Sequence, residues 1–289
     1  MNYFFHILIY LEIYIIVSLS LNLIVGYCGI LHIAQAAFFG IGAYTTALLM
    51  ESFNYGFFPS LIIAGVIASL LSVIVSIPAW RFRGDYFVMI SLAVQATLYA
   101  MFYNLTDITK GSYGFSGISK PNLFGVTFYS NYLISALYAI IFFLVVYMML
   151  KITRSPFGRS LQAMRDDEVS ARSIGIETRF LKVQAFLASA FIVALAGGMY
   201  ASYVTFIDPS SFSLSESILM LSMLIIGGTG NIKGPITGAI ILVLLPELLR
   251  FLSIPDALAA NVKLLIYGLL LMVIMRLRPQ GVNGIYRLQ

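Results

Sequence analysis

The residues able to do chemistry fall into two groups, and the first interrupts an apolar stretch of the chain. Asn22, His32 and Gln35 are polar, whereas their neighbours within 21–50 are mostly apolar residues and glycines. Such polar groups are costly against lipid, and irregular backbone at that depth is tolerated only inside the protein or beside a wet cavity. Two interpretations stay open: a helix that lines a path for a solute, or a helix packed through small residues with His32 bonded to a carbonyl.

The second group is charged and lies within 151–182. A segment that only binds anionic lipid has little use for acids, so a mixture of signs favours docking of a protein partner. The alternative is a basic linker at a membrane surface that only fixes topology. The segment contains seven bases and four acids: Lys151, Arg154, Arg159, Arg165, Arg172, Arg179 and Lys182, with Asp166, Asp167, Glu168 and Glu177.

The sequence lacks the residue patterns that other reaction chemistries require. Gly227–Pro235 is glycine-rich but has no phosphate-loop pattern, so any ATP hydrolysis must come from another chain. Cys28 is the only cysteine, which excludes an intramolecular disulfide and a cysteine-rich metal site. Apart from Glu12, near one end of the first predicted span, no Asp, Glu, Lys or Arg lies in the middle of a predicted span, which argues against an ion-coupled carrier and a membrane enzyme. We expect this chain to bind no cofactor.

The composition restricts the class of protein in which these polar groups occur. Hydrophobic residues make up 60% of the 289 residues and charged residues 10%, and the mean hydropathy is +0.95. A soluble domain carries about 45–50% apolar and about 25% charged residues. The composition therefore excludes an ordinary soluble enzyme and a disordered chain. Seventeen Lys and Arg spread over the whole sequence also argue against nucleic-acid binding.

Long stretches without charge separate the few charged residues, and a membrane helix needs about 20 apolar residues. The sequence therefore predicts an all-α fold, a polytopic transmembrane helical bundle of about eight to ten spans. The last two spans before residue 251 are short and could be full spans or two broken half-helices. The candidate spans are 3–25, 29–50, 57–80, 86–105, 127–150, 183–206, 214–228, 234–250 and 260–276.

The distribution of Lys and Arg predicts the orientation, because positively charged loops stay in the cytoplasm. We expect the 151–182 segment to be cytoplasmic. Each span changes the side of the membrane. Counting spans in both directions from this segment places 13 of the Lys and Arg residues on the cytoplasmic side and 4 on the external side. The same count places the N-terminus on the external side. The loop 106–126, rich in Gly and Ser, is then the longest external connection.

Local signals predict two short helices within 151–182. Ser155 followed by Pro156 is typical of a helix N-terminus. Asp166 or Asp167 can cap a second helix, which Gly175 ends. The first helix has one apolar face with spacing i, i+4, i+7, formed by Phe157, Leu161 and Met164.

Ordered blocks of sequence, which together extend over 21–281, carry a family resemblance. The chain resembles the membrane permease subunits of bacterial branched-chain amino acid ABC importers, the LivH/LivM group, and is closer to the LivM type. The blocks are Leu21–Tyr27 with Ala36–Tyr44, Arg83–Phe87, Ser155–Arg159 with Arg165–Glu168 and Gly175–Ile176, Ala196–Ala201 with Pro209–Phe212 and Gly227–Pro235, and Arg278–Gly281.

The resemblance implies one transmembrane permease domain over 1–289 in the bacterial cytoplasmic (inner) membrane. Its implied partners, besides membrane lipid, are a second permease subunit (homologous or identical), two cytoplasmic ATPases that use ATP, and an external substrate-binding protein. The 151–182 segment would be the cytoplasmic coupling loop, with Arg165, Asp166, Asp167, Glu168, Ala171 and Gly175 as coupling residues. The translocation path would include Asn22, His32, Gln35, Phe39, Gly40 and Tyr44.

The implied function is ATP-driven import of branched-chain amino acids that an external binding protein delivers. Two stretches depart from the family pattern. Arg172–Ser173 stands where the family more often has Glu-Ala, which alters the charge of the coupling segment. Tyr27–Gln35 differs from the usual family sequence, and its His32 and Gln35 change the polar lining of the path, which leaves the substrate open. The alternatives are a permease for a related small solute, such as urea, an amide or another amino acid, and a stand-alone secondary carrier.

Overall fold

A computed structural model of the chain describes residues 2–82, 84–123, 126–250, 256–278 and 280–284. Nine helices of 14 or more residues dominate this part of the chain. Three shorter helices and four two-residue strands connect them. The long helices are α1 (Asn2–Asn22), α2 (Gln35–Glu51), α3 (Phe57–Ser76), α4 (Asp85–Asn104), α6 (Asn131–Arg154), α9 (Thr178–Val204), α10 (Leu214–Gly227), α11 (Lys233–Arg250) and α12 (Asp256–Leu277). The short helices are α5 (Thr106–Thr109), α7 (Pro156–Asp166) and α8 (Glu168–Ser173).

The nine long helices lie at the nine predicted positions, so the all-α membrane bundle is confirmed. By length and composition, five described helices could cross a membrane: α1 with the turn after it, α3, α4, α6 and α9. Helix α10 has 14 residues and is therefore about 21 Å long, shorter than the roughly 30 Å of a bilayer core. The 214–228 prediction thus corresponds to a short helix rather than a full-length span.

The prediction of one helix over 29–50 is wrong at its start. Helix α1 ends in a π-helical turn, Leu23–Tyr27, and no helix is present from Cys28 to Ala34. Gly29 has a φ of +74° there, a left-handed conformation that glycine adopts without strain. The apolar pattern alone did not reveal this seven-residue interruption, and α2 begins only at Gln35.

Small residues let α9 pack closely against α1, α2 and α3 at the centre of the bundle. A Cβ atom on Gly42 of α2 would overlap Ala194 of α9, and one on Gly197 would overlap the Phe39 carbonyl. Gly198 lies equally close to Thr46. Small residues at these positions thus allow the membrane helices to approach each other closely.

Helices α10 and α11 form an antiparallel hairpin. Gly227 approaches Gly234 and Gly238 so closely that no Cβ would fit. Pro246 lies inside α11 and has no N–H, so the Leu242 carbonyl, four residues earlier, loses its helical donor. The Tyr267 hydroxyl of α12 donates to that carbonyl at 3.3 Å, which compensates for the proline.

The chain alternates between two ends of the bundle. We call them the α8 end and the α5 end. At the α8 end, Arg165 donates to the Gly26 carbonyl at 2.7 Å. At the α5 end, β1 (Phe115–Ser116) pairs with β4 (Phe206–Ile207), β2 (Asn122–Leu123) pairs with β3 (Val126–Thr127), and Ser119 N–H donates to Glu51 at 2.8 Å.

A network of hydroxyl groups keeps one acid ionised at the α5 end. Ser210 and Ser211 donate to the Asp208 carboxylate at 2.5 and 2.7 Å. Partial burial raises the pKa of Asp208, but these hydrogen bonds outweigh that effect and leave the pKa below its usual value. The carboxylate therefore stays charged beside the strand pair.

Candidate functional site

The first short helix of the 151–182 segment is built as its sequence predicts. Ser155 is the N-cap of α7, its hydroxyl accepts from the Gly158 N–H at 3.3 Å, and Pro156 is the first helical residue. Leu161 and Met164 are buried on the inner face of α7. Helix α7 is thus a surface helix with one face packed on the bundle.

The second short helix is closed at both ends by local hydrogen bonds. Asp167 is the N-cap of α8, and its carboxylate accepts from the Val169 and Ser170 N–H groups at 2.8 and 3.1 Å. At the other end, Gly175 has a φ of +87°. The N–H of Gly175 donates to Arg172 and that of Ile176 to Ala171, the paired bonds of a Schellman motif. The capping predictions for Asp167 and Gly175 are confirmed.

Glu168 turns inward from the first position of α8 and joins a network of four groups. Its side chain is 9% exposed. One carboxylate oxygen accepts from the Thr178 hydroxyl at 3.0 Å and from Arg172. The other accepts from Lys182 Nζ at 3.0 Å, and Lys182 also donates to the Ala79 carbonyl at 2.9 Å. The network connects α8, α9 and the chain just after α3.

The predicted coupling residues differ in what they present to solvent. Arg165 is tied to Asp166 at 2.8 Å and to the α1 terminus, and Ala171 is buried. Asp166 remains 62% exposed. Val169 of α8 and Ile174 just after it are apolar yet 70% and 75% exposed, and sequence reasoning did not single them out. Neighbouring exposed apolar side chains can mark a contact surface, but their exposure follows from the fold and not from the residue types.

The interrupted start of α2 depends on side chains from α4 and α10. The first four N–H groups of a helix have no intrahelical acceptor, and Ala34, at the N-cap, has no polar side chain. The Ala36 N–H donates to Ser217 Oγ and the Ala37 N–H to Gln95 Oε1, both at 2.9 Å. Gln95 in turn donates to the Phe212 carbonyl at 2.8 Å. Sequence reasoning did not identify Gln95 or Ser217, because these contacts join distant parts of the chain.

Two predicted path residues connect backbone segments in the structure. Asn22 donates to the Asn231 carbonyl at 2.7 Å and accepts from the Gly230 N–H at 3.1 Å, so it holds the 227–235 loop against α1. Gln35 donates to Ser20 Oγ at 2.6 Å. Both side chains thus make hydrogen bonds between separate parts of the chain, and their role in a path stays a prediction.

The predicted path residues of α2 lie in a buried aromatic cluster. The Phe39 ring is 5.4 Å from Tyr200 and 5.8 Å from Phe212, measured between ring centroids. The Tyr44 ring is 5.0 Å from Phe102. Gly40 makes room for the cluster, because a Cβ there would lie 2.6 Å from Phe102 and 2.9 Å from Phe212. The structure therefore brings Phe39, Gly40 and Tyr44 together, apart from the α8 end.

His32 is buried, and neither ring nitrogen has a hydrogen-bond partner among the described residues. The ring lies 5.6 Å from Phe186 and 6.1 Å from Phe38. The carbonyl partner that the packing interpretation expected for His32 is thus not found. An unsatisfied buried polar group costs about 1–3 kcal/mol.

We expect His32→Leu to raise the free energy of unfolding by about 1 kcal/mol, because it removes an unpaired polar group from an apolar site. Thermal unfolding of the purified chain measures this. His6→Leu is the matched control and should lower stability, since His6 Nδ1 lies 2.7 Å from the Tyr203 hydroxyl. A less stable His32→Leu protein would contradict the prediction. Uptake that changes in this variant would support the path interpretation.

A cavity of ≈ 710 Å³ lies at the α8 end, beside the Glu168 network. This volume falls within the roughly 300–1,000 Å³ of small-molecule sites. Asp85, Arg165 and Lys182 contribute charge to its wall, and Ile30, Leu31, Val88, Leu221 and Ile225 contribute apolar surface. In the part of the chain that the structure describes, no cluster of three His, Cys, Asp or Glu side chains could hold a metal ion.

The chain is similar to known transport proteins over nearly its whole length. The family described as "Branched-chain amino acid transport system / permease component" matches residues 3–275. The chain belongs to this family. A relative from Escherichia coli (strain K12), "High-affinity branched-chain amino acid transport system permease protein LivM", is 34% identical over 96% of this chain and 69% of its own length.

More distant relatives of this permease include one from an archaeon. "Probable branched-chain amino acid transport permease protein LivM" from Methanocaldococcus jannaschii is 27% identical over 95% of the chain and 91% of its own length. "Autoinducer 2 import system permease protein LsrC" from Yersinia enterocolitica is 32% identical over 48% of the chain and 38% of its own length. No solved structure matches the permease.

Family membership indicates what the bundle and the short helices have to do together. The chain is a multi-pass membrane transport subunit and not an enzyme, as the named relatives are permeases. Permeases of ABC importers work with an ATPase and other subunits. The permease therefore requires a surface that an ATPase can contact and a passage between its helices.

Proposed function

We propose that this chain is the membrane-spanning permease subunit of an ATP-driven importer for branched-chain amino acids. The observation that carries the proposal is the match to LivM proteins over nearly the whole chain. The substrate would arrive on an external binding protein. Two ATPase subunits would bind ATP on the other side, and this chain would hold no cofactor.

The 151–182 segment is proposed as the cytoplasmic coupling loop. Helix α8 is short, capped at both ends and fixed to α9 through Glu168, so it can move as a rigid body with the helices behind it. The exposed side chains of Val169 and Ile174 would contact the ATPase. Asp166 would lie at the edge of that contact, where its charge adds more to specificity than to affinity.

The translocation path is proposed to involve the surroundings of α2. Irregular backbone within a membrane is tolerated where it is buried in protein or lines a cavity. The 28–34 interruption meets this condition, because its residues 28–31 line the ≈ 710 Å³ cavity at the α8 end. Asn22, His32, Gln35, Phe39, Gly40 and Tyr44 stay the candidate residues of the path.

The partners and the location complete the proposal. A second permease, either a copy of this chain or a homologous subunit, would complete the membrane part. The complex would lie in the cytoplasmic (inner) membrane of a bacterium, with the α8 end facing the cytoplasm.

Reconstitution into proteoliposomes tests the proposed function. The complete importer contains its ATPases, second permease and binding protein. It should take up labelled leucine only when ATP is present on the side of the membrane where the ATPases lie. Leucine-loaded binding protein should stimulate ATP hydrolysis. Uptake by this chain alone, driven by a proton gradient without ATP, would contradict the proposal and support a secondary carrier.

The same preparation tests a second candidate substrate class. The similarity to an autoinducer 2 permease over about half of the chain favours including small solutes that are not amino acids. Uptake of urea or a short amide in preference to leucine would move the assignment to a related solute.

A further inference from the structure

We propose that Lys182 is a positioning residue that carries displacement of α8 to both α3 and α9. The inference rests on the proposed function, because it assumes that an ATPase moves the 151–182 segment. Lys182 is not among the coupling residues that the family resemblance implies. It lies on the side of the 151–182 segment that faces the bundle.

The geometry of Lys182 connects three parts of the bundle through one ammonium group. Its side chain is 4% exposed. The Nζ atom lies 3.0 Å from Glu168 Oε2 on α8 and 2.9 Å from the Ala79 carbonyl. Ala79 lies in the short turn Pro78–Trp80 that follows α3. A displacement of Glu168 therefore acts on α9 directly and on the end of α3 through the lysine.

The carboxylate of Glu168 has no freedom to absorb a displacement locally. Its second oxygen accepts from the Thr178 hydroxyl in the first turn of α9 and from Arg172, one turn along α8. Three hydrogen bonds, from Thr178 and Lys182 to Glu168 and from Lys182 to the Ala79 carbonyl, thus join α8, α9 and the α3 terminus. Helix α9 packs against α1, α2 and α3 at the centre of the bundle, so its movement reaches the helices around the proposed path.

The energetics indicate a role in geometry rather than in overall stability. Removing two charges from water costs several kcal/mol per ion, and apolar residues of similar volume often stabilise a protein as well as a buried pair does. The Glu168–Lys182 pair, at 9% and 4% exposure, therefore needs a reason other than net stability. A directional link to a buried carbonyl provides one, since an apolar side chain could not hold Ala79 at a fixed distance.

The test measures uptake and ATP hydrolysis in the complete reconstituted importer. We expect Lys182→Met to keep ATPase activity that loaded binding protein stimulates. Leucine uptake per ATP hydrolysed should fall by about 10-fold, which corresponds to a loss of about 1.4 kcal/mol of coupling free energy. Lys233→Met is the matched control, because Lys233 is an exposed lysine at the same end of the bundle but outside the 151–182 segment. It should leave the ratio unchanged.

A second variant covers the case in which Lys182→Met alone fails to fold because it leaves Glu168 unpaired. The double variant Glu168→Gln with Lys182→Met removes both charges, and it should insert normally but remain uncoupled. Lys182→Arg retains a positive charge and N–H donors for both Glu168 and the Ala79 carbonyl. Its uptake per ATP hydrolysed should therefore be close to that of the unaltered chain. A purely structural role predicts instead that uptake and ATP hydrolysis fall in proportion.

Two outcomes overturn the inference: a proportional loss of both activities in the double variant, or an unchanged ratio of uptake to ATP hydrolysis. Failure of the proposed function gives a different result, because the importer with the unaltered chain would then show no ATP-dependent leucine uptake. The unaltered chain is therefore measured in the same preparation.

Discussion

The Gly197→Val protein should be much less stable than the unaltered chain. The added Cβ would overlap the Phe39 carbonyl and lie 3.0 Å from the Ala43 nitrogen. Both are backbone atoms of α2, which cannot rotate away as a flexible side chain could. Overpacking of this kind costs about 3 kcal/mol at the upper end of its usual range, a large part of a total stability of roughly 5–15 kcal/mol.

Thermal unfolding of the purified chain and the yield of folded protein in the membrane measure this effect. Gly268→Val is the matched control, because Gly268 is also helical and its Cβ position has nothing within 4 Å. The control contains the same β-branched residue, so it separates overpacking from helix propensity. Equal stability of the two variants would show that α2 and α9 do not approach as closely as described.

The second large effect is expected at the surface of α8. The double substitution Val169→Asp with Ile174→Asp should leave folding intact, because both side chains are mostly exposed and surface changes usually alter stability by only about 0.5 kcal/mol. Binding of the ATPase should weaken by about 2 kcal/mol, roughly 30-fold, if these residues are central contacts. Uptake should fall accordingly.

Co-purification of the ATPase subunits with the permease checks the second prediction. Phe53→Asp is the control, since Phe53 is 67% exposed in the turn after α2, at the opposite end of the bundle. It should retain the ATPase subunits. Normal co-purification with the α8 variant would remove this surface from the ATPase contact and leave only the inner network of Glu168 as a candidate for coupling.

The sequence was sufficient for features that depend on neighbouring residues or on hydropathy. The nine apolar segments became nine helices, and the caps formed by Ser155 and Asp167 lie where serine, proline and aspartate predicted them. Each of these features is decided within a few residues of the chain. The same locality explains why the ends of the segments were predicted to within a few residues in most cases.

Features that join distant residues were not accessible from the sequence. Gln95 and Ser217 are separated by 122 positions, yet both serve the start of α2. Lys182 was counted only as one of seven bases, and its burial against Ala79 depends on how α3 and α9 cross. The interruption after Tyr27 has an apolar composition like that of a helix, so only tertiary contacts distinguish it.

The capping of α2 has a consequence for the order in which the chain can mature. The Ala36 and Ala37 amides, early in the sequence, depend on Gln95 and Ser217, and Asn22 depends on Gly230 and Asn231. Unpaired amides are costly in lipid. We therefore expect α1 and α2 to lack these native partners during synthesis until α4, α10 and the 227–235 loop have entered the membrane. The native hydrogen bonds of the first two helices should then be among the last to form.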